Sequence, residues 1–175
     1  MTNIEAIVAV DQNYGLAKNG QIPWKSKTDM SFFKQKTINN VVVMGSKTLL
    51  SLPKSAPLKD RLNIVLTNKQ LNNTENIKDN LLYFNELELL AFLQRPEKYI
   101  QDDKYKFLNK DYTIFIIGGK QIYDIFCKLC STIWITKIKA DYECDLIFSK
   151  DILDSFCNSV IELEDDELQI IKLTS

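Results

Sequence analysis

The chain has 175 residues, of which 45% are hydrophobic and 26% charged, with a net charge of −1 at neutral pH. That length suits one domain over residues 1–175, large enough to bury a sizeable core, and the near-neutral balance without a block of one sign argues against a nucleic-acid partner. No apolar run reaches the ~20 residues of a membrane helix, and the start MTNIEAIVAV has no basic segment before its apolar stretch, so a cytoplasmic setting is expected.

Along the chain, β-branched runs predict strands at 4–10, 41–45, 62–67, 81–84, 113–118 and 132–138. Two more, SVIELE and ELQIIKL, are separated by Asp165 and Asp166 and predict a closing hairpin. Four of the earlier runs (4–10, 41–45, 62–67 and 113–118) are continuously apolar, as strands covered on both faces are. Between them, TDMSFFKQKT predicts a helix over 28–37 capped by Thr28 or Asp29. Further helices are expected at 46–52, 85–95 and 119–130, the first two ending at Pro53 and Pro96. The charged stretch 95–111 reads as an exposed insertion. Strands alternating with helices predict an α/β fold, one largely parallel sheet with an antiparallel hairpin at one edge.

Glycine is scarce, five in 175 residues against a usual ~7%. All five fall in strand-to-helix connections: Gly15 and Gly20 after the first strand, Gly45 after VVVM, and Gly118 with Gly119 after IFII. That is the edge where open α/β sheets bind ligands and where helix N-termini meet anions, although any single glycine equally marks a turn. The chain has no histidine, so serine–histidine or cysteine–histidine catalysis is excluded within it and a carboxylate is the expected acid. Asp29 is the candidate. The helix dipole alone could account for an acid in a first turn, while Pro23 and Trp24 upstream could bury it and raise its pKa. Arg61 and Arg95 are the two arginines among 22 basic residues. Arg61, at a strand start, is either a surface residue or a bidentate fork for a ligand carboxylate. Cys127 and Cys130 form a C-x-x-C that reads either as a metal or redox pair or as core thiols in an apolar helix.

Taken in order, VAVDQNYGLAKNGQIPW, TDMSFFKQKT, VVVMGSKTLLSLP, PLKDRLNIVLT, IFIIGGKQIY and IWITKI resemble the dihydrofolate reductase family over essentially the whole chain. The resemblance implies an eight-stranded, mostly parallel mixed sheet flanked by about four helices, and reduction of 7,8-dihydrofolate by NADPH. It implies that Asp29 holds the pterin and promotes protonation at N5, with Thr136 and Trp24 supporting it. Ile7, Val8, Met30, Phe33, Leu58 and Ile117 would line the substrate, and Arg61 would grip its glutamate α-carboxylate. Residues 15–24 would form a mobile closing loop. Ala9, Leu16, Gly20 and Ile22 would meet the nicotinamide side of the cofactor, and Gly45, Ser46, Lys47 and Thr48 its phosphates and adenine ribose. Leu66, Thr67, Asn68 and Lys69 would flank the adenosine. Gly118 and Gly119, joined by a cis peptide, would turn under the pyrophosphate, followed by Lys120, Gln121, Ile122 and Tyr123.

Four positions depart from the family pattern: Ser46 where a basic residue beside the 2′-phosphate is frequent, Leu49 for tryptophan, Ala17 for glycine, and Cys144 for a smaller residue. Antifolates are implied ligands, fusion to a thymidylate synthase domain is left open, and a riboflavin-pathway pyrimidine reductase or a folate-binding protein without turnover are the rival readings.

Overall fold

The computed structural model describes residues 2–68, 79–101 and 103–175. Its elements, in chain order, are β1 (Asn3–Val10), β2 (Gly15–Ala17), α1 (Lys27–Thr37), β3 (Val41–Gly45), α2 (Ser46–Ser51), β4 (Leu62–Leu66), β5 (Leu81–Phe84), α3 (Glu86–Gln94), β6 (Thr113–Gly118), α4 (Lys120–Phe126), β7 (Thr132–Ile138), β8 (Leu146–Ile147), β9 (Asn158–Glu164) and β10 (Leu168–Thr174). Eight strands form one sheet in the order β5-β4-β3-β6-β1-β7-β10-β9. The pairs from β5 to β7 are parallel, and β10 runs antiparallel to both β7 and β9. The expected mixed sheet and closing hairpin are therefore present. Two strands lie outside the expectation: β2 and β8 pair into a small antiparallel ribbon.

Period-two alternation sends each central strand's side chains to two separate cores. Ala6, Val8, Val43, Ile64, Ile116 and Ile135 face α3 and α4, where they meet Leu89, Phe92 and Phe126. Ile7, Val42, Met44, Val65, Phe115 and Trp134 face the opposite side, against Leu49 of α2 and Phe32 and Phe33 of α1. Covering both faces is what continuous apolar runs require.

Two local expectations are corrected. The cap of α1 is Ser26, whose hydroxyl accepts the Asp29 N–H at 3.1 Å, so neither Thr28 nor Asp29 caps the helix. The stretch 95–111 is no simple exposed insertion. Tyr105 is buried in the core, Ile100, Phe107 and Leu108 pack against it, and Tyr99 meets Phe84 and Phe92 edge-on. Cys127 and Cys130 are buried in the same core, which is the apolar-thiol reading of the C-x-x-C.

Candidate active site

At the carboxyl ends of β3, β6 and β1 the strand order reverses, because β6 inserts between β3 and β1. Such a reversal opens a crevice between loops leaving in opposite directions. The sequence-predicted residues come from the strands β1, β2, β3, β4, β6 and β7, the helices α1, α2 and α4, and the loops beside them.

Asp29 stands in the first turn of α1, held by the Ser26 cap. It is half-buried, and desolvation pushes its carboxyl above the ordinary carboxylate range, with the Thr136 hydroxyl pulling it partly back. Thr136 is buried on the β7 face that α1 covers. Tyr123 of α4 lies close by. Its phenol donates to the Ile7 carbonyl at 2.8 Å, and burial, with Cys127 and Asp29 nearby, raises its pKa well above normal, so it stays a neutral donor. The site thus presents one weakly compensated carboxyl beside a buried strand. Phe33, Leu58 and Ile117 are half-buried walls of the cluster containing Ile7, and Val8 is buried on the far face. Met30, at 67% exposure, points away from the packed interior.

Arg61 is buried. Its Nε donates to the Lys59 carbonyl at 2.9 Å and its Nη1 to Thr37 Oγ1 at 3.0 Å, which fixes the guanidinium plane. Desolvation lowers its pKa, with Asp60 opposing. Among the described residues Nη2 has no hydrogen-bond partner, and a buried guanidinium in that state is suited to an incoming carboxylate.

The opposite half of the crevice is lined by backbone. The Gly118–Gly119 peptide is cis, and Gly118 has φ +113°. A Cβ there would meet the Tyr123 hydroxyl at 3.0 Å, so no other residue fits without displacing the Ile7 partner. A Cβ on Gly45 would lie 3.3 Å from Ile122, and one on Gly119 3.7 Å from Thr48 Oγ1, so the starts of α2 and α4 close on each other through the glycines. Their free N–H groups are suited to an anion. Ser46, Lys47, Asn68 and Gln121 are exposed around this cradle, with Thr48, Leu66 and Thr67 half-buried. Lys120 is turned aside: its ammonium donates to the Ile147 carbonyl and to Ser149 Oγ, both at 2.8 Å, leaving its backbone as the part facing the cradle. Lys69 lies outside the described residues.

The segment 15–24 carries Trp24, which is buried against Tyr142 with ring centroids 5.6 Å apart, in a cluster with Ala9, Phe32, Ile138 and Ile170. Leu16 is buried, whereas Gly20 and Ile22 are exposed, Ile22 by 63%.

Known proteins share this sequence pattern and this fold. A family model described as dihydrofolate reductase matches residues 3–169. This chain belongs to the dihydrofolate reductase family of enzymes. A dihydrofolate reductase of Drosophila melanogaster is 34% identical over 89% of this chain and 84% of its own. A bifunctional dihydrofolate reductase–thymidylate synthase of Daucus carota is 32% identical over 81% of this chain, which spans 27% of that longer protein. Among solved structures, a dihydrofolate reductase from Enterococcus faecalis complexed with NADP(H) and RAB-propyl superposes with a TM-score of 0.71 at 25% identity, over 98% of this chain and 95% of that one.

Two residues of this crevice escaped the sequence reading. Leu52 packs with Phe33 and Leu58 against the cluster containing Ile7, and nothing in its context beyond the following Pro53 marks it. Asn63, buried in β4, accepts the Leu58 N–H at 2.9 Å and donates to the carbonyls of Leu58, Arg61 and Asn80. It pins the backbone that carries both Leu58 and Arg61. A lone Asn within an apolar strand run, L-N-I-V-L, is the signal that could have found it.

Proposed function

We propose that this chain, as one domain over residues 1–175, reduces 7,8-dihydrofolate to 5,6,7,8-tetrahydrofolate with NADPH. The observation that carries the reading is Asp29: a carboxyl at the strand-order reversal, half-buried, with its pKa raised by desolvation and one hydroxyl beside it. A group in that state holds a pyrimidine nitrogen and amine and favours a proton on the pterin, delivered to N5 through water. Arg61 takes the substrate's α-carboxylate, and Phe33, Leu52, Leu58 and Ile117 enclose the ring between pterin and glutamate. The glycine cradle suits a pyrophosphate, since a Cβ at Gly118 would press on Tyr123 and one at Gly45 on Ile122, and the glycines leave the backbone bare to a ligand. When bound there, the cofactor supplies the hydride, which no side chain can. Ala9 and Leu16 stand toward its nicotinamide end, and Ile22 and Trp24 close over it to keep bulk water out.

Antifolates are proposed ligands of the same pocket, and the cytoplasm the proposed location. Among the described residues no helix is long and apolar enough to cross a membrane. A steady-state assay with NADPH and dihydrofolate, following loss of the reduced nicotinamide absorbance, tests the reading. Turnover that methotrexate blocks supports it. Binding of both ligands without turnover identifies a non-catalytic folate binder, and no binding of dihydrofolate removes the folate assignment.

A further inference from the structure

Asp11 follows β1 directly and is fully buried. Its two carboxylate oxygens serve different segments. Oδ1 accepts the N–H groups of Asn13 at 2.9 Å and Gly15 at 2.8 Å, in the segment that leads into the closing loop. Oδ2 accepts the Tyr142 N–H at 3.0 Å, in the connection after β7. The two segments touch at this point: a Cβ on Gly15 would fall 2.6 Å from the Cys144 Sγ and 2.9 Å from Asp11 Oδ1. The Cys144 thiol is pushed up to about 11 by burial and by the Asp11 charge, so it stays protonated beside the carboxylate.

Beyond this point the loop and the connection remain joined. Gln12 N–H bonds the Ala140 carbonyl at 3.1 Å and Asp145 N–H bonds the Ala17 carbonyl at 3.1 Å. Asp145 Oδ2 accepts the Asn19 N–H at 2.9 Å, and β2 pairs with β8. The far end is the Trp24–Tyr142 ring contact. The buried carboxylate therefore sits at the root of an attachment that runs the length of the loop bearing Trp24.

We propose that Asp11 is a positioning residue for the reduction: its carboxylate bridges residues 12–15 and 139–145, and thereby sets the register of the 15–24 loop over the reacting rings. This rests on the reductase reading above. The bridge requires an acid. An asparagine offers one acceptor oxygen, and its amide donors would confront either the Tyr142 N–H or the pair from Asn13 and Gly15.

The test compares the full-length chain with Asp11→Asn by two measurements. The first is amide hydrogen exchange of the ligand-free protein, which needs no activity. Exchange is expected to quicken at least tenfold in both 12–20 and 139–145 while the central strands stay protected. The second is single-turnover hydride transfer at saturating ligands, expected to slow at least tenfold with dihydrofolate affinity changed less than threefold. That split would not follow from general loss of stability.

Faster exchange in 12–20 alone would reduce Asp11 to a local turn residue and overturn the bridge. Faster exchange in both segments with an unchanged hydride rate would overturn the positioning role. Should Asp11→Asn fail to fold, Gly15→Ala carries the same two measurements. It drives the segments apart sterically, against both Cys144 and Asp11 Oδ1, and adding Cys144→Gly, which removes only the first clash, is expected to restore both in part; no effect of Gly15→Ala overturns the bridge. A wild-type chain without dihydrofolate turnover overturns the reductase reading and the positioning role with it, and the exchange pattern separates that failure from failure of the bridge itself.

Discussion

Asp11 and Asp29 stand at the two ends of the same connection, and their carboxyl groups are shifted in opposite directions. Burial pushes both upward. At Asp11 the amides of Tyr142, Gly15 and Asn13 outweigh it and bring the pKa below normal. At Asp29 the Thr136 hydroxyl does not, and the pKa stays raised. Desolvation alone therefore decides little, and the number of donors delivered decides the sign. A carboxylate satisfied by the fold holds structure, while one left short of donors is available to a ligand. Arg61 belongs with the second kind, since two of its nitrogens are engaged by the fold and Nη2 has no partner among the described residues.

The largest effect that would break this comparison lies at Asp29. Asp29→Asn is expected to slow hydride transfer at pH 7 by roughly 10²–10⁴-fold, the usual reach of a positioned acid–base group. Partial recovery toward acid pH is expected, read by stopped-flow across about pH 5–8. A flat, unchanged profile would remove Asp29 from the chemistry.

At Arg61, the leucine variant should raise the KM for dihydrofolate about 10–100-fold with kcat nearly intact. A hydrogen bond to a charged group contributes about 1.5–3 kcal/mol, and every 1.4 is tenfold. A loss confined to kcat would place Arg61 elsewhere in the cycle. On the exposed cofactor rim, Lys47→Ala should weaken NADPH over NADH by roughly five-fold, since a solvated pair contributes up to about 1 kcal/mol. Equal losses for the two cofactors would mean that the 2′-phosphate is read by another group.

The smallest effect concerns stability, and its sign is what matters. Asp29 carries a raised folded pKa, so its cost to folding is absent below the unfolded pKa and complete above the folded one. Asp29→Asn should therefore raise Tm at pH 7, by roughly 2–4 °C if the cost is near 1 kcal/mol, and the gain should vanish in acid. Asp11 has a lowered folded pKa, so its contribution is present above the unfolded value and lost as pH falls through the folded one. Asp11→Asn should lower Tm at pH 7, with the deficit shrinking at acid pH. Shifts of the same sign in calorimetry would dissolve the distinction between the two acids.

The eight strands of the main sheet were legible to within a residue or two, the central ones from Val- and Ile-rich runs covered on both faces and the closing pair from the turn at Asp165 and Asp166. The β2–β8 ribbon was not. Its strands are three and two residues long, too short for any period to show. The Ser26 cap was missed because Thr28 and Asp29 are equally good capping residues, and the entry angle of the chain chooses among them. Tyr105 was hidden in a charged stretch whose apolar residues follow no period.

In the site, Arg61 was legible through the rarity of arginine, and the glycine cradle through the rarity of glycine. Asp11 and Asn63 were not read. Their main partners are backbone groups, in Asp11's case the amide of Tyr142, and a backbone amide leaves no mark in sequence.

The position of β1 has a consequence for how the protein is made. This strand precedes its lateral partners, β6 and β7, by a long stretch of chain, with Asn3 set against Thr113 and Val10 against Lys137. At about 5–20 residues per second, a translating ribosome needs on the order of ten seconds to supply that partner. Until β6 has been made, an apolar segment destined for the middle of the sheet has neither neighbour to pair with, and it has both only after β7, so the nascent chain is expected to rely on a holding chaperone, or on transient collapse, over most of that interval.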